Sequence, residues 1–429
     1  MRVAIADVRS SEPCAIAGRV VESIRGERRA RLRDASGEIE LAFEHAVSVP
    51  PLGAILRVQG RRGSDGRFAV EQMLVDALSA LPPDQLGEWA MPGWTRKRGE
   101  LRARDTLLRA LRAWFHDQGF LEVETPTLLA APGQEPHLLP FATAFHGRDA
   151  VTPLWLATSP EYAMKRLLAV GFEKIFQLGR SFRDGRDEHS PLHTPEFTLV
   201  EWYRAWEALG AIGRDVGALV EAAAAAVRGS ARIERGGRSC ELDGRVAWLS
   251  VEQAFHEFAD VDLEPYLDGA DAAFVASLPS SIARVGETAR EQADSAFFRM
   301  LIERVEPELG SDRPLLLCRY PARHAALSEL CADDPRVAER FELYVLGIEL
   351  ANAFQELRDP DEQERRLRAE QRERARSGRP PLPLSEPFLR ALRSGLPPCA
   401  GIALGVDRLH LLLTGAAQID DVQPFPFSA

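Results

Sequence analysis

The sequence predicts an α+β fold in two domains. A small closed β-barrel spans 1–82, a linker spans 83–100, and a larger domain of strands and flanking helices spans 101–429. Three observations carry this reading. Short β-forming stretches separated by Gly, Ser and Asp fill the first 80 or so positions. LPPDQLGEWAMPGWTRKRGE then loses any helical period and is punctuated by Pro and Gly. From Leu101 onward, segments of helical and of alternating period follow one another.

The barrel comes from five stretches: AIAGRVVESI, RRARLRDAS, GEIELAFEH, AILRVQGRRG and RFAVEQMLVDAL. In the second domain, Leu107, Leu108, Leu111, Trp114 and Phe115 recur at helical spacing, and Gly119 ends that helix. VGALVEAAAAAVRG at 216–229 is an Ala-rich helix. DPDEQERRLRAEQRERARSGRP at 359–380 is a charged helix stopped by Gly and Pro, expected to be a solvated face.

The 429 residues are 45% apolar and 27% charged, a soluble globular profile. No run reaches the roughly 18 uncharged apolar residues of a membrane span. MRVAIADVRSSEPC lacks the apolar core of a signal peptide, so a cytoplasmic location is expected. Cys14, Cys240, Cys318, Cys331 and Cys399 are scattered, which speaks against a disulfide framework or a structural zinc site. A net charge of −11 speaks against a scaffold for long duplexes but leaves room for a local RNA or nucleotide site.

Four segments hold candidate chemistry. EKIFQLGRSF and EFTLVEWYRAW are strands joined by a charged loop carrying Arg183 and His193. Period two puts Phe197, Leu199, Glu201 and Tyr203 on one face, so Phe197 can stack on a planar base while Glu201 reaches an ammonium. A plain hairpin with a charged turn is the competing reading. In LATSPEYAMKRLL, Ser159 suits an N-cap, Pro160 the first helical position and Glu161 the first turn, where it complements the dipole or holds an ammonium. AERFELYVLGIELANAFQEL reads as a hairpin turning at Leu346–Gly347. Glu342 and Glu349 then share a face and can hold a hard cation such as Mg²⁺. Asn352, Phe354 and Glu356 have the opposite parity to Glu349, so a common site requires a bulge near Leu350–Ala351. In CAGIALGVDRLHLLLTG a small-residue strand enters a helix at Asp407 and Arg408, where Arg408 can clamp a phosphate.

Together these segments resemble the class II aminoacyl-tRNA synthetase fold, in its lysine branch. FLEVETPTL with Pro126 is similar to motif 1, FRD…HTPEFTLVEWY to motif 2 and GIALGVDRL to motif 3, over roughly residues 101–429. The resemblance implies an antiparallel synthetase-type sheet, and RLRDASGEIEL with PLGAILRVQGRR resembles the oligonucleotide-binding (OB) barrel found beside such domains. Stacking on that barrel would fall to Phe43 and Phe68, its only aromatics; a barrel that packs against or presents the larger domain is the competing reading.

Two families of the branch compete: lysyl-tRNA synthetase and its truncated paralog, the elongation factor P lysine ligase. TSPEYAMKRLL, GRSFRD, EFTLVEWYR, VAERFELYVLGIELANAF and GIALGVDRL look more like the paralog. So does Ala403, typically Gly in the tRNA synthetase, whose methyl would reshape the floor of the amino-acid pocket. The barrel departs from the paralog, and is much shorter than the tRNA synthetase's N-terminal domain. The motif 2 loop departs from both: Arg183-Asp184-Gly185 replaces Arg-Asn-Glu, and the loop is about two residues longer. The expected adenine-reading glutamate is missing, with Asp187 or Glu188 as substitutes after a different loop path.

The resemblance implies ATP and Mg²⁺ as cofactors and a homodimer built on motif 1. It assigns Arg183 to the α-phosphate, Arg408 to the γ-phosphate, His193 to the ATP site, Phe197 to adenine, and Glu342 and Glu349 to Mg²⁺. Glu161 and Asn352 would orient the substrate's backbone-end groups. Glu201, Tyr203, Phe354 and Glu356 would form the pocket for a cationic side chain, above Ala403. Lysine or β-lysine would be adenylated, then passed to a lysine of elongation factor P, or less readily to tRNA. A synthetase-like sensor of lysine or nucleotide, without catalysis, is the reading from another class.

Overall fold

The structure, a computed structural model, describes residues 2–9, 12–45, 47–79, 93–135, 138–185, 188–280, 282 and 285–427, except the side chains of 93–95. The chain divides into two compact units, Met1–Leu101 and Arg102–Ala429.

In the first unit β1 (Cys14–Ile24), β2 (Arg29–Arg33), β3 (Glu38–Phe43), β4 (Ile55–Arg62) and β5 (Phe68–Ala77) close into a barrel of order β1-β2-β3-β5-β4. Alternation of buried and exposed positions in β3 and β4 puts Ile39, Leu41, Leu56 and Val58 inside. A Cβ on Gly60 would run into the Ala69 carbonyl, so the close β4–β5 approach, where the register slips, requires glycine. Phe43 and Phe68 are both buried in the barrel core, so neither ring is a stacking platform.

The first helix runs Gly93–Asp117, not from Leu101 as the sequence suggested. Arg96-Lys97-Arg98 are good helix formers and Gly99 is tolerated in open space, so the last eight residues of the expected linker are helical. Its remainder, 83–92, lies outside the described residues. Gly119 terminates the helix in a left-handed conformation at φ 77°.

The strands that follow are β6 (Leu121–Glu122), β7 (Leu128–Leu129), β8 (Ala142–His146), β9 (Val151–Leu156), β10 (Lys174–Phe182) and β11 (Glu196–Ala205). After them come β12 (Arg232–Arg235), β13 (Arg238–Glu241), β14 (Ala247–Ser250), β15 (Leu315–Pro321), β16 (Val337–Val345), β17 (Ile348–Gln355) and β18 (Cys399–Gly405). Eight of them form one sheet of order β14-β15-β16-β17-β18-β11-β10-β6, antiparallel except at its two outermost pairs. β7, β9 and β8 form a small second sheet.

One face of the large sheet buries Trp202, Phe341, Ala353 and Ile402 against the helices Leu209–Arg228 and Val406–Thr414. The Ala-rich helix thus starts seven residues earlier than its alanines indicate and ends at Gly229. A helical insertion between β14 and β15 has its own aromatic core of Phe255, Tyr266, Phe274 and Phe297. Capping boxes at Ser250–Gln253 and Thr288–Glu291 start two of its helices. The charged helix runs Pro360–Arg376, capped by the Asp359 side chain. Exposed residues form its solvated face, while Gln363, Leu367 and Arg374 are buried.

Candidate active site

The sheet face away from the main core floors a cavity of about 580 Å³, within the range of small-molecule sites. Strand register explains its floor. Glu201, Ala403, Asn352 and Glu342 are Cα partners in one row across β11, β18, β17 and β16. Tyr203, Gly401, Phe354 and Arg340 form the next row on the same face. Side chains opposite one another in antiparallel strands are neighbours, so four distant segments meet here.

The β16–β17 turn is Leu346–Gly347, both with positive φ, and Val345 pairs Ile348. Tyr344 then pairs Glu349 while Leu343 pairs Ala351. Leu350 is the extra residue, the bulge that a common site requires. It returns Glu349 to the face of Asn352 and Phe354.

Glycine 401 sets the shape of the floor. A Cβ there would come inside 3.0 Å of the Tyr203 ring and 2.7 Å from Glu356 Oε1. Only a missing side chain lets the ring and the carboxylate converge.

At one end of the cavity the groups are acidic. Tyr203 Oη donates to Glu201 Oε1 (2.6 Å), while Glu201 Oε2 is buried without a hydrogen-bond partner. Burial and the Glu161 charge push the Glu201 carboxyl well above its ordinary range. Lys165 bridges Glu161 and Glu356, at 2.5 Å each. Burial alone would lower its pKa, but those two carboxylates outweigh it and raise it. Glu356 is raised, chiefly by burial. Glu135 and Glu370 also line the cavity, and burial with the charge of Glu135 pushes Glu370 up to about 8. Glu161 begins its helix as expected. The cap is Pro160, whose carbonyl accepts from Met164 N, rather than Ser159.

The other end is basic. Arg183 makes no ion pair among the described residues, and its Nε is buried without a partner. Its guanidinium lies 5.0 Å from the centre of the Phe197 ring. The face expected to receive adenine is thus covered by a cation, drawn by the ring's quadrupole. Arg408 is fully oriented: Nε donates to Leu192 O (3.2 Å), Nη1 to Glu349 O (2.7 Å) and Glu349 Oε2 (3.3 Å), and Nη2 to His193 Nε2 (2.6 Å). Arginine only donates, so His193 Nε2 accepts and Nδ1 carries the proton toward Ser190 Oγ (2.8 Å). Behind them, Asp407 accepts from Arg104 Nη1 and from Thr198 N, both at 2.6 Å, tying the helix Val406–Thr414 to β11.

The cavity wall therefore gathers Glu161, Arg183, His193, Phe197, Glu201 and Tyr203. It also takes in Glu349, Asn352, Phe354, Glu356, Ala403 and Arg408. Glu342 is the exception. It is not on the wall but accepts from Tyr320 (2.5 Å), Tyr344 (2.8 Å) and Arg340 (2.5 Å). A buried carboxylate without such partners would be costly, which accounts for its turn inward. Among the described residues no group of three or more His, Cys, Asp or Glu is arranged to hold a metal. Glu188 lines the cavity; Asp187 lies outside the described residues.

Sequence reasoning missed Lys165, Arg340 and Gly401. Lys165 had a signal, since it stands four residues after Glu161 on one helix face. Arg340 and Gly401 had one too, as each pairs with an expected site residue once the strands are registered.

The model of the family described as tRNA synthetases class II (D, K and N) matches residues 95–429. The chain is similar to the elongation factor P–(R)-beta-lysine ligase of Yersinia enterocolitica, 40% identical over 330 residues, which is 76% of this chain and 94% of that protein. It is 39% identical to the protein of the same name from Yersinia pestis (strain Pestoides F), over the same shares of both chains. The Proteus mirabilis protein of that name is 39% identical over 318 residues, 74% of this chain and 91% of its own. No helix among the described residues is long and apolar enough to cross a membrane. The ladder of strands that carries the cavity thus lies wholly within the matched span, and the chain belongs to the class II tRNA synthetase family of the D, K and N type, in the group of the elongation factor P–(R)-beta-lysine ligases.

Proposed function

We propose that this protein uses ATP to activate lysine or (R)-β-lysine as an adenylate and transfers it to a lysine side chain of elongation factor P. One observation carries the reading. A single cavity holds, at opposite ends, a buried guanidinium (Arg183) with no ion pair and a buried carboxylate oxygen (Glu201) with no hydrogen-bond partner among the described residues. An anion and a cation bound there would satisfy both. The names of the relatives supply the acceptor.

The substrate carboxylate is ionised at neutral pH (reference value about 3.5), so the first step needs positioning and charge neutralisation rather than a base. Arg183 takes the α-phosphate, and Arg408, held by four hydrogen bonds with His193 and the Glu349 carboxylate among its partners, takes the γ-phosphate. Phe197 stacks on adenine once Arg183 moves from its face to the phosphate, and Glu188, which lines the cavity, meets the adenine amino group. Glu161 and Asn352 orient the substrate's reacting end. Glu201, Tyr203, Phe354 and Glu356 surround its ammonium, with Lys165 already neutralising part of the acidic cluster.

Mg²⁺ fits by charge. Burial and the neighbouring Glu342 and Glu349 push Glu306 up to about 7, a sign of surplus negative charge that a hard cation relieves. Glu349 would hold the ion, joined by Glu342 if it gives up its tyrosine bonds. Bound there, the ion would neutralise phosphate oxygens. The five-strand barrel supports an OB-like reading of residues 1–82. The exposed Leu128, Phe145 and Val151 of the small sheet support a homodimer.

ATP–pyrophosphate exchange tests the first step: lysine or (R)-β-lysine should drive it, and exchange with no amino acid would overturn the enzyme reading. Transfer to purified elongation factor P is expected. Transfer to tRNA alone would favour the second reading, a tRNA synthetase with a shortened barrel, for which the extra N-terminal barrel speaks.

A further inference from the structure

The helical insertion reaches the cavity through a chain of hydrogen bonds that the first step does not use. Tyr266 Oη donates to Asp294 Oδ1 (2.6 Å), and Asp294 is ion-paired with Arg323 (3.0 Å). The same hydroxyl lies 2.7 Å from His324 Nε2. A phenol has one hydrogen, and the carboxylate takes it, so the oxygen must accept from His324 Nε2–H. Burial holds the imidazole down to about 3, which keeps the ring neutral. Nδ1 is then the ring's acceptor, and it has no hydrogen-bond partner among the described residues.

The ring lines the cavity and is packed against Phe297 (5.3 Å) and Phe298 (4.7 Å), the latter exposed at the cavity's edge. Its backbone is tied to the floor. Arg340 donates from Nη1 to His324 O (2.7 Å) and from Nε to Asn352 Oδ1 (3.2 Å). His324 therefore stands one guanidinium away from Asn352, the residue that orients the reacting end, and lines the same cavity.

We propose that His324, held in its Nε2–H tautomer by Tyr266 and Asp294, receives the acceptor amine in the second step, Nδ1 accepting an N–H and aiming the nitrogen lone pair at the adenylate carbonyl. This rests on the adenylation reading above. The acceptor ammonium (reference pKa about 10.4) first gives a proton to water. The neutral nitrogen then forms the C–N bond to the carbonyl carbon. The C–O bond to AMP breaks with its electron pair on the phosphate, and the remaining surplus N–H proton passes to that departing phosphate. His324 keeps no proton. A neutral ring suits this task because a cationic one would repel the incoming amine's hydrogens. Tyr266 is the positioning residue.

The test uses the full chain as wild type, His324→Ala and Tyr266→Phe. Three rates are read: ATP–pyrophosphate exchange with (R)-β-lysine, single-turnover transfer from the enzyme-bound adenylate to elongation factor P, and capture of that adenylate by hydroxylamine. For His324→Ala, exchange and hydroxylamine capture should stay within about threefold of wild type, while transfer falls about 10- to 100-fold, as a misaimed nucleophile does. Tyr266→Phe, which keeps the ring packing, should show a smaller loss confined to transfer. Unchanged transfer in His324→Ala, or equal losses of exchange and transfer in both variants, would overturn the proposal. A wild type that fails to exchange would instead overturn the adenylation reading and this one with it.

Discussion

Gly401→Ala changes one hydrogen to a methyl, yet it should disable the amino-acid end of the cavity. The new Cβ would fall inside 3.0 Å of Tyr203 Cε1 and Cδ1, where ordinary contact begins at 3.4 Å, and 2.7 Å from Glu356 Oε1. The tyrosine ring must swing aside, and its hydroxyl, at the far end of the lever, moves further than the edge that clashes. The Tyr203–Glu201 hydrogen bond is 2.6 Å long, and such bonds fail beyond about 3.0 Å. Losing a hydrogen bond to a charged group amounts to about 1.5–3 kcal/mol, a 10- to 150-fold weaker hold on the substrate ammonium. Overpacking removes a further 1–3 kcal/mol or so of stability. Exchange assays should therefore show KM for lysine or (R)-β-lysine raised 10- to 150-fold with KM for ATP little changed, because Arg183 and Arg408 lie at the other end. Tyr203→Phe should reproduce most of the KM effect, and the double variant should be clearly less than additive. Equal rises in both KM values, or fully additive effects, would refute the reasoning.

Lys165→Met leaves Glu161 and Glu356 facing each other without their shared cation; breaking a buried pair in this way should lower stability by about 3–5 kcal/mol, read by thermal or denaturant unfolding at pH 7.5. Glu370 titrates at about 8 when folded and about 4.3 when unfolded, so the native state binds the extra proton and stability falls as pH rises between those values. Glu370→Gln should flatten urea-derived stability between pH 5.5 and 7.5 by about 1.4 kcal/mol per pH unit; an unchanged slope would mean another group is responsible. Ala403→Gly, at the floor position between Glu201 and Asn352, should shift exchange toward α-lysine, and an unchanged α/β preference would remove the methyl from the account of specificity.

What could be read in advance follows from periodicity. Period two fixed the faces of β11 and β17, and parity together with a common site demanded the bulge found at Leu350. Glu342 was misplaced because parity tells which side of the sheet a residue takes, not whether its neighbours claim it. Tyr320 comes from β15 and its claim is invisible until the strands are in register. Glu135 sits on a loop, and Glu370 on a helix whose charges suggested a solvated face, so neither pattern pointed inward. The motif 2 loop remained the least legible segment: its residues carry no period, and of the two candidate adenine readers Glu188 lines the cavity while Asp187 lies outside the described residues.

The central position of β18 has a consequence for biosynthesis. It inserts between β17 and β11, although its residues follow β11 by almost two hundred positions. Until Cys399–Gly405 leaves the ribosome, two long apolar strands each present an unpaired edge, the kind of template on which chains aggregate. The last strand to be made is thus the keystone of the sheet, and nascent chains should depend on chaperones most heavily in the interval just before it emerges.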